Sequence, residues 1–183
     1  MQKLTLLGAL ALALTACGGG SSPQPQGEPV LKVAVNPASP QVNQKIVLNV
    51  SLMGGSGTWN MALFNENPDG SIDQIYPNRL PDGQPTLTPG ATLNFPPPNA
   101  KYFAVAVAPA GIHTLLAYAS QTPLDLEGAG ISRYENAQSQ FATVASQGVG
   151  TLSGPFLAKL RSLRPGIAGV GSYEVVAQPA PAP

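Results

Sequence analysis

Glycine and proline interrupt this chain so often that helices of ordinary length have little room to form. There are 20 of each in 183 residues. Proline removes a backbone donor and fixes φ, and glycine carries an entropic cost inside regular structure. Between these breaks lie short segments in which apolar and polar residues alternate, the period of a strand with one buried face. Leu31, Val33 and Val35 alternate with Lys32 and Ala34, and Ile46, Leu48, Val50 and Leu52 with Val47, Asn49 and Ser51. Residues 59–64, 72–76, 91–95, 102–108 and 113–120 supply five more strand candidates. Seven short strands in this spacing predict a mainly β fold, an antiparallel immunoglobulin-like β-sandwich.

The last third changes period. Ser132-Arg-Tyr-Glu135 has the form of a capping box, and Tyr134, Ala137, Phe141 and Val144 follow at helical spacing, which predicts a helix there. A second helix is predicted over 153–164, with Phe156, Leu157, Leu160 and Leu163 on one face and Pro165-Gly166 ending it. Lys159, Arg161 and Arg164 fall on both flanks of that face, so it is expected to pack on the sheet rather than lie on a membrane. Residues 172–177 return to strand.

The N-terminus carries a different signal. Lys3 precedes an apolar run over 4–14, broken only by Thr5 and Gly8, which ends in Leu14-Thr15-Ala16-Cys17. A charged start, a short apolar run and small residues describe an export signal. The run is too short for a bilayer span of roughly 20 residues. The tetrapeptide resembles the lipobox of bacterial lipoproteins. That resemblance implies cleavage after Ala16, acylation of Cys17 and attachment to a membrane at the cell envelope. Gly18 in place of an aspartate implies the outer membrane rather than the inner, or simply the outer face where there is only one membrane. Cys17 is the only cysteine, so no thiol is left for a disulfide or zinc site.

The organisation that follows is a signal peptide over 1–16, a Gly/Ser/Pro tether over 17–29, one β-rich domain over 30–177 and a Pro/Ala tail over 178–183. Without Lys3 the chain has 8 basic residues against 9 acidic ones. That balance offers nucleic acid no electrostatic footprint. Charged residues make up 10% of the chain, well under the roughly 25% of an average globular protein.

The densest run of polar residues is Phe64-Asn65-Glu66-Asn67-Pro68-Asp69-Gly70-Ser71-Ile72-Asp73. Asn67-Pro68-Asp69-Gly70 suits a type I turn, with proline at the second position and glycine at the fourth. Flanking strands make it a hairpin tip. Asn65, Asn67, Asp69 and Asp73 also fall at the spacing of an EF-hand calcium loop. Tyr76 stands where its bidentate glutamate belongs, and Pro68 favours the plain turn.

Further pieces complete a family pattern: Tyr76-Pro77-Asn78-Arg79, Pro89-Gly90, Phe95-Pro96, and Ala117 to Ser120 with Pro123-Leu124. Over about residues 58–125 the chain resembles the bacterial family called domain of unknown function 4384. The resemblance implies a β-rich accessory or interaction module of envelope and surface-layer-associated proteins, and it transfers no catalytic residue. Tyr76, Asn78 and Arg79 are candidates for an interaction surface. The alternative packs Tyr76 at a strand end and pairs Arg79 with a carboxylate such as Asp82.

Catalytic constellations are not legible. His113 is the one histidine and is expected to be an exposed strand start. No Gly-Xaa-Ser-Xaa-Gly elbow occurs, and nothing brings two carboxyls together for glycosidase chemistry. The expectation is a non-enzymatic envelope lipoprotein without a cofactor, serving as a structural or protein-interaction module with an envelope or surface-layer protein as partner. The alternative is a carrier of a small apolar ligand, lipid or pigment.

Overall fold

The structure, a computed structural model, describes residues 27–145 and 148–178. The signal segment, Cys17, most of the tether and the end of the tail lie outside the described residues. Among the described residues, eleven strands and one short helical segment are formed. In chain order they are β1 (Val30–Asn36), β2 (Lys45–Met53), β3 (Trp59–Glu66), β4 (Ile72–Tyr76), β5 (Thr86–Leu87), β6 (Thr92–Phe95), β7 (Ala104–Val105), β8 (Gly111–Ser120), β9 (Ser132–Arg133) and β10 (Thr143–Val144). A π-helical turn, Leu152–Phe156, then runs into α1 (Leu157–Leu163), and β11 (Ile167–Val175) closes the domain. No helix among the described residues is long and apolar enough to cross a membrane.

The strands form two antiparallel sheets, as the alternation predicts. The smaller runs β1-β2-β6, with β7 also on β2; the larger runs β11-β8-β3-β4-β10-β9, with β5 on β3. Sandwiched between them are Ile46, Leu48, Val50 and Leu52 from β2 and Met61, Leu63, Leu115 and Ala117 from the larger sheet. The second face of the larger sheet is covered as well. Ala62, Phe64, Leu116 and Tyr118 pack there against Phe156, Leu157 and Leu160. Phe64 and Phe156 meet edge to face, with centroids 4.8 Å apart, an arrangement worth roughly 0.5–1.5 kcal/mol beyond its buried area. Burial on both faces explains why β3 and β8 read as nearly continuous apolar runs.

The helical segment is anchored from the sheet. Glu66, buried at the end of β3, accepts hydrogen bonds from Thr151 N at 2.9 Å and Leu152 N at 3.4 Å. Its carboxylate therefore serves the open amides at the start of the segment, where local residues supply no cap.

The helix predicted around Tyr134–Val144 does not form. Ser132 and Arg133 pair instead with Val144 and Thr143. The physical reason is Asn136, whose Oδ1 accepts from Gln138 N and Ser139 N, both at 2.9 Å, and turns the backbone locally. The strand predicted over 102–108 shrinks to two residues. The edge of β2 is already taken by β6 from Leu48 to Ser51, which leaves only Lys45 and Ile46 for β7.

β1 lies across β11 without a shared ladder. Here the sheets meet backbone to backbone: a Cβ on Gly169 would stand 2.6 Å from Leu31 O, and one on Gly171 would stand 3.0 Å from Val33 O. Gly169→Ala is expected to lower stability by about 1–3 kcal/mol, the range of overpacked sites. The urea midpoint measures it, with Gly154→Ala as control, where an added Cβ meets nothing within 4 Å. Equal midpoints for the two variants would refute the close-approach argument.

Candidate functional site

The β3–β4 hairpin is the start of the site. Its tip is the expected turn: Gly70, at φ 82°, donates its N–H to Asn67 O, and Asn67 N donates to Ser71 O. Asp69 Oδ1 accepts from Ser71 Oγ at 2.6 Å and Ser71 N at 2.9 Å. The Ser71 hydroxyl holds the Asp69 carboxyl below its usual range. Beneath the tip, Asn67 Nδ2 donates to Ser71 Oγ and to Asp73 Oδ2, each at 2.9 Å. Asn65 Nδ2 donates to Asn67 Oδ1 at 2.8 Å. Each of the four side chains placed at calcium-loop spacing therefore takes part in the hairpin's own hydrogen bonds. Among the described residues no group of three or more His, Cys, Asp or Glu is arranged to hold a metal ion.

His113 corrects the sequence expectation. It is fully buried, because its strand lies in the middle of the larger sheet between β3 and β11. The ring stacks on Tyr173 at a centroid distance of 5.0 Å. Its Nδ1 lies 3.4 Å from Asn65 Nδ2, and its Nε2 lies 3.2 Å from Pro109 O. Tyr173 OH donates to Asn65 Oδ1 at 3.2 Å. One proton arrangement satisfies this set: a neutral imidazole with its proton on Nε2, donating to Pro109 and accepting from Asn65. Burial lowers the His113 pKa below its ordinary value, with hydrogen bonding to Pro109 and the charges of Asp73 and Asp69 opposing. Burial also pushes Tyr173 up to about 12, so its hydroxyl keeps its proton.

Tyr76, Asn78 and Arg79 point mostly inward. Tyr76 is 1% exposed and Asn78 2%, which leaves Arg79 as the one of the three at the surface. Tyr76 meets Phe95 edge to face at 5.2 Å. Asn78 Nδ2 donates to Ile75 O, and its Oδ1 accepts from Leu80 N. Arg79 does not pair with Asp82. Its guanidinium lies 3.7 Å from the centroid of Tyr134 and donates to Asn136 O, while its backbone N donates to Gln140 O. The segment thus grips the 134–140 loop that leads into Phe141.

These contacts frame a cleft of about 690 Å³ at one end of the sandwich. Ile46, Leu48 and Phe95 of the smaller sheet form one wall, and Asn65, Asp73 and Tyr173 of the larger sheet form the other. Phe103, Val107 and Phe141 stand at its rim, exposed by 63%, 44% and 39%. Among the described residues, Asp73 is the only charged one in the lining. Sequence reasoning reached Asp73 as a calcium candidate but did not find Phe103, Val107, Phe141 or Tyr173 as site residues. A signal existed: the run Tyr102-Phe-Ala-Val-Ala-Val107 is apolar at both alternating positions, so one of its faces had to remain uncovered or find a cover.

A family model described as Domain of unknown function (DUF4384) matches residues 41–123. The chain therefore carries a domain resembling that family, and the match takes in the hairpin, Tyr76 to Arg79 and the whole of β8. No curated protein and no solved structure matches the chain.

The His113 arrangement has a consequence for acid stability. Above the ordinary pKa of about 6.5 the ring is neutral in both states and costs nothing. As pH falls below that value, the unfolded chain takes up a proton that the folded chain resists, so stability declines. His113→Gln is expected to show a smaller decline in urea midpoint between pH 7.5 and pH 5 than the parent chain. An identical decline would exclude this ring as a source of acid sensitivity.

Proposed function

We propose that this chain is a non-enzymatic binding module held at the outside of a bacterial cell through an acylated Cys17, on the outer membrane rather than the inner. Its end cleft receives a small, largely apolar ligand. The observation that carries the reading is the cleft itself. Its volume of about 690 Å³ lies within the roughly 300–1,000 Å³ of small-molecule sites. Its walls are mainly apolar, with a few polar groups gathered on one side. A cleft of this size favours a carried ligand over a purely structural role.

A second reading draws on the rim. Phe103, Val107 and Phe141 expose apolar surface around one opening, a feature of protein-interaction sites. In that reading an envelope or surface-layer protein inserts a side chain into the cleft.

The two readings predict different results. Native mass spectrometry of the chain purified from its host is expected to show a bound small-molecule mass. Phe103→Ala combined with Phe141→Ala should abolish it. A bare chain mass together with a protein partner lost on the same double substitution would transfer the function to the second reading. Attachment is checked separately: Cys17→Ser should abolish acylation, and membrane sedimentation of a Cys17→Ser chain freed of its signal segment would rule out the lipid anchor.

A further inference from the structure

We propose that the end cleft selects an organic ammonium ligand, its cationic head at Asp73 and its apolar body along the aromatic wall. The inference rests on the ligand-binding reading above and names the class of molecule bound.

Three features converge on a cation. Five aromatic side chains line the cleft, Phe95, Tyr102, Phe103, Phe141 and Tyr173, out of five Phe, five Tyr and one Trp in the whole chain. The faces of such rings carry negative potential and attract ammonium groups. One of these rings already holds a cation, since Lys45 Nζ lies 4.4 Å from the centroid of Phe103.

The second feature is the carboxylate. Asp73 Oδ2 accepts one hydrogen bond, from Asn67 Nδ2. That bond orients the group and leaves the other carboxylate oxygen for a ligand. A neutral apolar body laid over Asp73 would strip water from the charge without replacing it, and an anion would be repelled. A cation meets neither penalty.

The third is how the buried polar groups spend their protons. Asn65 directs its amide N–H bonds to Asn67 and towards His113, and Tyr173 directs its hydroxyl proton to Asn65. These donors are turned into the protein. Asp73 and the Tyr173 oxygen offer the cleft lone pairs. Gln74 and Thr143 spend their donors on Pro77 O and Arg133 O, and among the described residues only Gln140 brings an amide to the lining, from its exposed loop. Such a surface accepts protons rather than donating them, and so suits a ligand that brings its own donors or a full positive charge.

The test compares phenethyltrimethylammonium with its uncharged carbon isostere, 3,3-dimethylbutylbenzene. Binding to the full chain in lipid nanodiscs is followed by ligand-observed NMR, with empty nanodiscs subtracted. The ammonium is expected to bind about tenfold more tightly, the scale of one desolvated charge contact. Asp73→Asn, which keeps an oxygen for Asn67, should erase that preference. Raising salt to 0.5 M should weaken the ammonium alone, and this arm holds even if the variant fails to fold. Equal affinities in the parent chain, or a preference insensitive to both Asp73→Asn and salt, would overturn the ammonium assignment while leaving the ligand cleft standing. Absence of binding by either probe would remove both.

Discussion

The sandwich is organised by a contact that no side chain makes. β1 crosses β11 where Gly169 and Gly171 remove the Cβ atoms, so the carbonyls of Leu31 and Val33 come against bare backbone. Face-to-face sheets ordinarily stand about 10 Å apart, with side chains filling the space. At these two glycines the filling is absent and the two sheets are drawn together. The closure is reinforced beyond β1, where Val42 N donates to Val176 O and Val176 N donates to Pro40 O. Towards β4 and β6, by contrast, the spacing is set by rings: Phe95 meets Tyr76 at 5.2 Å, and Tyr102 and Phe141 each at 6.1 Å. A cleft on the aromatic side follows from that difference.

The Tyr76 to Arg79 segment belongs to the same construction. Its residues act mainly inside the fold. Tyr76 supports Phe95 from below, Asn78 locks the turn through Ile75 and Leu80, and Arg79 fastens the 134–140 loop. Phe95 and Phe141 are both cleft residues. The distinctive segment therefore shapes the wall of the site without forming much of its surface.

This division explains what the sequence disclosed. Strands with one solvent-facing side were legible because Ile46, Leu48, Val50 and Leu52 alternate with less buried neighbours. The α1 face was legible too, since Phe156, Leu157 and Leu160 repeat at helical spacing and all are buried. The 132–144 region was misread because its apolar spacing is genuine while its backbone obeys Asn136. A local side-chain bond outweighed a periodic pattern. His113 was misread for a complementary reason: its neighbours Ile112 and Thr114 face away from the sandwich, while its ring is flanked by Asn65 of β3 and Tyr173 of β11. Burial of that kind comes from residues over 40 positions distant and leaves no trace nearby in the chain.

The buried polar row also joins the interior to the cleft through a chain of proton positions. Pro109 O can only accept, so His113 Nε2 must carry a proton. In a neutral ring Nδ1 is then an acceptor, which sets the Asn65 amide with Nδ2 towards it and Oδ1 towards Tyr173. Tyr173 must in turn donate to Asn65, and its remaining lone pair faces away from that bond. A second proton on His113 would place two donors against each other at Nδ1 and Asn65 Nδ2. Turning the amide would relieve that conflict, but would leave Asn67 Oδ1 without its donor and set an N–H against the Tyr173 hydroxyl. The polarity of the cleft side and the neutral state of one buried imidazole are consequently a single structural fact, fixed from the carbonyl of Pro109 outward.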